Sequence, residues 1–227
     1  MIMNKIDDGF YSWLVDAATF DDVLDIPCMA LPKRVEVPRN LIPFSKTPYS
    51  ESHAEYVHFY EHDAVFKGFL QDPEQYIERL YRFPGIITPD CSLYRDMPLV
   101  LQMANTYMSR AVGCYLQEQG MNVVPNVRWG DERSYRPGIT DIPFAFLGLE
   151  KHGIVSVSTY QGHLSMLIVM PVYVLNSAGS MLTSIIWPSV SVARMVSPLS
   201  IEPYHRKSLR LSSEYTETMV LRLVGVT

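Results

Sequence analysis

With 227 residues and 48% hydrophobic side chains, the chain has enough apolar material for one ordinary domain with a real core. Charged residues at 19% are too few for a disordered chain, and a net charge of -5 argues against a surface built wholly to grip a phosphate backbone. A local basic groove is compatible with that balance, so nucleic acid stays among the conceivable partners.

The start of the chain, Met1 to Asp8, has no basic stretch followed by an apolar one and reads as lacking a signal peptide. Residues 1–40 read as an N-terminal arm. Asp16 to Leu24 is expected to make a short helix, after which Pro27, Pro32 and Pro38 impose extended backbone. From Leu41 to about residue 160 the pattern becomes that of an α/β domain. Short apolar runs, Leu41–Phe44, Tyr56–Tyr60, Gly85–Pro89, Met121–Pro125 and Gly153–Val157, each end in polar residues. Pro73 opens a helical segment through Tyr76, Ile77, Leu80 and Tyr81. A longer helix is expected from Pro98 to Gln119, with Asp96 as its cap, Pro98 in its first turn and Gly120 as its stop. Its apolar face is read as Val100, Met103, Ala104, Tyr107, Met108, Ala111, Val112, Tyr115 and Leu116, leaving Gln102, Ser109 and Gln117 more exposed.

Strands alternating with helices predict an α/β fold: short parallel strands in an incomplete barrel-like or layered sheet, followed by a C-terminal segment whose order is left open. That segment, residues 161–227, differs in kind. The first 158 residues hold 21 acids against 14 bases, whereas the chain from Thr159 on has no Asp, three Glu, five Lys or Arg and eleven Ser. Residues 164–193 carry no charge, but Pro171, Asn176, Gly179 and Pro188 divide them into pieces too short to span a bilayer, so no membrane is expected. Later strand-like runs are Ser184–Trp187, Val190–Val192 and Met219–Val224. Cys28, Cys91 and Cys114 cannot all pair within one chain and show no CxxC spacing, which makes a reduced, cytoplasmic setting the default.

Two clusters carry chemistry. Thr88-Pro-Asp-Cys-Ser-Leu-Tyr-Arg-Asp-Met-Pro98 and Asn126-Val-Arg-Trp-Gly-Asp-Glu-Arg-Ser-Tyr135 both follow apolar runs, and in α/β proteins ligands gather at the C-terminal strand edge. If those strands are parallel neighbours, Asp90, Asp131 and Glu132 are candidate catalytic acids and bases, and Ser92, Asn126, Arg128 and Trp129 candidate ligand-binding residues. Asn105 and Arg110 join the binding set if they lean from the long helix over the same edge; otherwise, with Ser109, they form a solvated face. The carboxylates could hold a hydrated Mg²⁺, the cofactor being otherwise unknown. Against function stands plain scaffolding, with Asp90 and Asp96 capping turns and Arg128 paired to Asp131. His58, His62 and Asp63 lack a second spaced ligand pair, so no metal site is assigned to them. There is no phosphate loop, nucleophile elbow or HExxH.

Those two motifs, with Leu41–Lys46, Tyr56–Tyr60 and Asn105-Thr-Tyr107, resemble a domain-of-unknown-function family of bacteria that is frequent in phages, prophages and plasmids. The likeness covers about residues 26 to 160. It implies a cytoplasmic protein associated with mobile elements and brings no activity with it. After a strand like Ile154–Thr159 that family usually continues with a charged helix and another apolar strand. Gln161–Met166 and its sequel match poorly, which reads as a diverged C-terminal half or an altered reading frame. Two functions compete. One is an enzyme or binding protein for a small anionic or phosphorylated ligand at the strand edge. The other is a non-catalytic accessory protein that binds DNA or a replication protein, with the acidic balance favouring a protein partner over DNA; a flat edge with a basic stripe through Lys33, Arg34 and Lys46 would favour this second reading.

Overall fold

A computed structural model describes residues 11–31, 38, 40–135, 138–150 and 154–158. Beyond these it describes only the backbone of four later strands, Val174–Leu175, Met181–Leu182, Val192–Ser197 and Thr216–Arg222. Four short strands, each at an expected apolar run, make the central sheet. In chain order they are β3 (Leu41–Pro43), β4 (Tyr56–His58), β5 (Ile86–Ile87) and β6 (Val123–Val124), following a hairpin of β1 (Thr19–Phe20) and β2 (Pro27–Cys28). All three pairings in the sheet are parallel and run in sequence order, with Ile42 opposite Val57, Val57 opposite Ile86, and Ile86 opposite Val123. Strand β7 (Ile154–Ser158) joins beyond β6 through a parallel bridge of Asn126 with Ser156. The amide of Val127 donates to the Ser156 carbonyl at 2.8 Å, and that of Ser156 to the Pro125 carbonyl at 2.8 Å.

Parallel neighbours need crossovers, and helices supply two of them. Helices α1 (Asp63–Gln71) and α2 (Ile77–Leu80) lie between β4 and β5, with a 3-10 turn opened by Pro73, as its sequence position predicts. Helix α3 (Leu99–Glu118) connects β5 to β6. Side chains on alternate strand positions then divide into two cores. Val57, Phe59, Ile86 and Val123 pack with Phe66, Phe69, Val112 and Leu116 on the helical side. Tyr56, Tyr60, Ile87, Val124 and Ile154 form the opposite, inner face. That inner face is concave. β5 and β6 lie between β4 and β7, yet Tyr60, just past β4, reaches across this face to Ser156 in β7, their hydroxyls 2.6 Å apart. The sheet therefore curls like part of a barrel, and among the described residues no strand pairing closes it.

Three local expectations are corrected. Asp16–Leu24 does not form a helix: the Asp21 carboxylate accepts the amides of Val23, Leu24 and Ile26, and this turn lets Thr19 and Phe20 pair antiparallel with Cys28 and Pro27. Asp96 does not cap α3; Pro98 occupies the cap position itself, with no side-chain cap bond. The exposed and buried faces of α3 are also misassigned. Val100 is 68% exposed, while Gln102, Thr106, Ser109 and Arg110 are buried, because the first half of this helix covers polar loops at the strand ends rather than the apolar sheet face. Ala111, Val112, Tyr115 and Leu116 are buried, as the apolar pattern requires. The stop is as expected: Gly120 has φ 88°, and the amide of Met121 reaches back to the Leu116 carbonyl at 3.1 Å, closing the last turn. Gly113 allows α3 to approach β5, since a Cβ there would lie 2.8 Å from Thr88 and 2.5 Å from the Met29 sulfur.

The contrast drawn for residues 161–227, the run Ser184–Trp187 and most of the uncharged span lie outside the described residues. Among the described residues no helix is long and apolar enough to cross a membrane.

Candidate functional site

Each strand of a parallel sheet delivers its next few residues to the same edge. Here Tyr60, Asp90 and Asn126 follow β4, β5 and β6, and Ser156 lies in β7 beside Asn126. Their side chains are linked. The Asn126 amide donates to one carboxylate oxygen of Asp90 at 2.7 Å, and Arg128 forms an ion pair with the other through Nη1. On its far side Asn126 presents Oδ1 to the Tyr60 hydroxyl at 3.1 Å, and Tyr60 in turn meets Ser156 Oγ at 2.6 Å. If Tyr60 donates to Asn126, then Ser156 donates to Tyr60, and both Asn126 and Arg128 donate to Asp90. Each of these four bonds then pairs one donor with one acceptor when Asp90 is ionised.

Burial pushes the Asp90 carboxyl above its ordinary range, against the pull of the Arg128 charge and the Asn126 hydrogen bond. Burial likewise raises the Tyr60 phenol, which stays neutral. Arg128 is the outward-facing member, with 25% of its side chain exposed against 6% for Asp90. Among the described residues only Nη1 of its guanidinium has a hydrogen-bond partner.

The other expected site residues divide. Ser92 is buried, and its hydroxyl and amide both bind the Asp63 carboxylate, at 2.7 and 3.2 Å. Asn105 does lean over the edge, donating to the Ser92 carbonyl at 2.6 Å. Arg110 is neither solvated nor free: it is fully buried and donates to the carbonyls of Leu147, Asn126 and Ala145. Asp131 turns away from Arg128 and pairs with Arg133, with Gln102 Nε2 at 2.9 Å; the Arg133 bond holds its carboxyl well below the usual carboxylate range. Glu132 is exposed in the short helix α4 (Glu132–Tyr135). Trp129 packs against Val127, Ala145 and Val155 as a rim aromatic.

Sequence reasoning missed Tyr60 and Ser156, and weighed Asp63 only as a metal ligand beside His58 and His62. Tyr60 ends an apolar run just as Asp90 and Asn126 follow theirs, so its position was a usable signal. Ser156 lies inside a strand and had none. Lys33 and Arg34 lie outside the described residues, and Lys46 is exposed just after β3. Asp90 and Asp63 already spend their oxygens on protein donors, and among the described residues no three carboxylate, His or Cys side chains converge on a metal position.

A narrow cleft is lined by Arg128, Asn105, Ser109, Arg110 and Asn126 among others, with about 10 Å³ of room, roughly that of one water. A larger shallow groove of about 620 Å³ lies between Trp13, Ile77, Tyr81 and Tyr115, toward the opposite end of α3.

The family model for a domain of unknown function, DUF4417, matches residues 18–170, two thirds of the chain, including every strand of the curled sheet and all the residues of this network. The chain belongs to the DUF4417 family. It is similar to the Gene 1 protein of Mycobacterium phage D29, 32% identical over 103 residues, covering 45% of this chain and 36% of the relative. It is also similar to the Gene 1 protein of Mycobacterium phage L5, 29% identical over 111 residues, covering 49% of this chain and 45% of the relative. The chain thus spans less than half the length of these curated relatives. No solved structure matches this DUF4417 chain.

Proposed function

We propose that this DUF4417 domain binds a small anionic ligand at the C-terminal edge of its curled sheet, with Arg128 as the anchoring group. One observation carries the reading. Arg128 is partly exposed and held in place on one side by a buried carboxylate, which is itself fixed by Asn126 and, through it, by Tyr60 and Ser156. A guanidinium pinned on one side and open on the other is pre-organised for an oxyanion, because little side-chain freedom is left to lose on binding. Its phage relatives make a role in a mobile element the natural setting.

Isothermal titration with inorganic phosphate tests this. Saturable binding is expected, weakened at least tenfold by Arg128→Gln; equal affinity in the variant would exclude Arg128 as the anchor. A second reading, a non-catalytic accessory that docks on a protein, is favoured by the exposed apolar side chains of Tyr94, Val100 and Leu101 around the start of α3. A chain that shows no saturable anion binding would leave that reading in place.

A further inference from the structure

In the wall of the cleft that Arg128 lines stands a second charge, that of Arg110. Arg110 is 1% exposed, and its Nε, Nη1 and Nη2 donate to the carbonyls of Leu147, Asn126 and Ala145 at 3.1, 2.7 and 2.9 Å. Burial draws the guanidinium down only to about 10, so it remains charged at neutral pH. Neither ion pair among the described residues includes it. Three carbonyl dipoles satisfy three of its five N–H groups, but they supply no counter-charge, and Nη1 and Nη2 each keep a second N–H. A buried ion with no counter-ion is costly to keep.

Its surroundings indicate what would complete it. Arg110 and Arg128 line the same cleft, whose wall is otherwise made of neutral groups, among them Asn105, Thr106, Ser109 and Asn126. Asp90 pairs with Arg128 and is not part of that wall. The Arg128 charge is therefore compensated, and the charge left over is that of Arg110.

We propose that Arg110 contacts the ligand as well as bracing the fold: the anion anchored by Arg128 places one oxygen in the cleft, where it accepts a remaining N–H of Arg110. This rests on the anion reading above. Room for about one water admits a single oxygen and not a whole phosphate or carboxylate group, so the approach is through one atom, with the rest of the group outside on Arg128. Phosphate and carboxylate share that chemistry.

The test observes the native guanidinium, since substituting Arg110 would release three carbonyls and endanger the fold. Arginine side-chain ¹H–¹⁵N spectra of the full chain are recorded while inorganic phosphate, and separately acetate, is titrated at constant ionic strength made up with chloride. Saturable shifts at both Arg110 and Arg128 with one common Kd are expected, and the tighter of the two isotherms identifies the group. In Arg128→Gln the Arg110 shift should persist with affinity lowered at least tenfold. Shifts confined to Arg128 would overturn the proposal and leave its anchoring role intact. Shifts at neither residue, or equal shifts in chloride alone, would overturn both.

Discussion

His58 shows how one buried side chain carries a cost that solution conditions can expose. It lies on the inner face between Tyr56 and Tyr60, stacked on the Tyr60 ring, and its Nδ1 accepts the Tyr60 amide at 3.1 Å. The ring hydrogen is thereby assigned to Nε2, which has no partner among the described residues. Burial pushes its pKa from 6.5 down to about 4. Above pH 6.5 both folded and unfolded chains hold it neutral and it contributes nothing to pH dependence. As pH falls below 6.5 the unfolded chain takes the proton first, so stability drops until about pH 4 and then levels off. The full loss is about 3 kcal/mol at 1.36 kcal/mol per pH unit. Urea denaturation between pH 7 and pH 4 should show that slope, and His58→Gln should flatten it; an unchanged slope in the variant would place the acid sensitivity elsewhere.

At the scale of elements, α3 departs most from a simple amphipathic helix. Its C-terminal half buries apolar residues against the sheet, and its N-terminal half buries Gln102, Thr106, Ser109 and Arg110 against polar loops. Ser109 donates to the Pro89 carbonyl at 2.9 Å and meets Thr88, whose hydroxyl accepts the amide of Asn126 at 2.8 Å. The helix thus fixes the two strand ends that carry Asp90 and Asn126. Mutations should follow burial and not hydrophobicity. Leu116→Ala is expected to cost about 2–5 kcal/mol, and Val100→Ala to change stability by less than about 0.5 kcal/mol. Chemical denaturation of both variants decides the point, and a large loss at Val100 would restore the apolar face read from sequence.

At the scale of the whole molecule the curl of the sheet determines which residues meet. Tyr60 and Ser156 are 96 positions apart, and their contact exists only because β4 and β7 approach across the concave face. A double-mutant cycle with Tyr60→Phe and Ser156→Ala measures that approach directly. A coupling of about 0.5–1.5 kcal/mol is expected, the range of a net hydrogen bond. Strict additivity would mean that the two strands do not meet as described.

The strands of the central sheet, their parallel order, the long helix with its glycine stop and the two polar motifs were legible in the chain. Each rests on local periodicity, turn chemistry or capping, which act over a few residues. Local signals also placed Asp90 and Arg128 at strand ends, because both follow apolar runs. The partner of Arg128 was not legible. Asp131 is three residues away and Asp90 thirty-eight, yet the turn after Trp129 directs Asp131 to Arg133 while the β5–β6 pairing brings Asp90 across. A solvated face was one of the two readings of Arg110, because a charged side chain on a helix normally lies at the surface. Only tertiary packing could supply the three carbonyls that let it be buried. Sheet curvature and the meeting of distant strand ends arise from contacts far apart in sequence, and no local pattern encodes them.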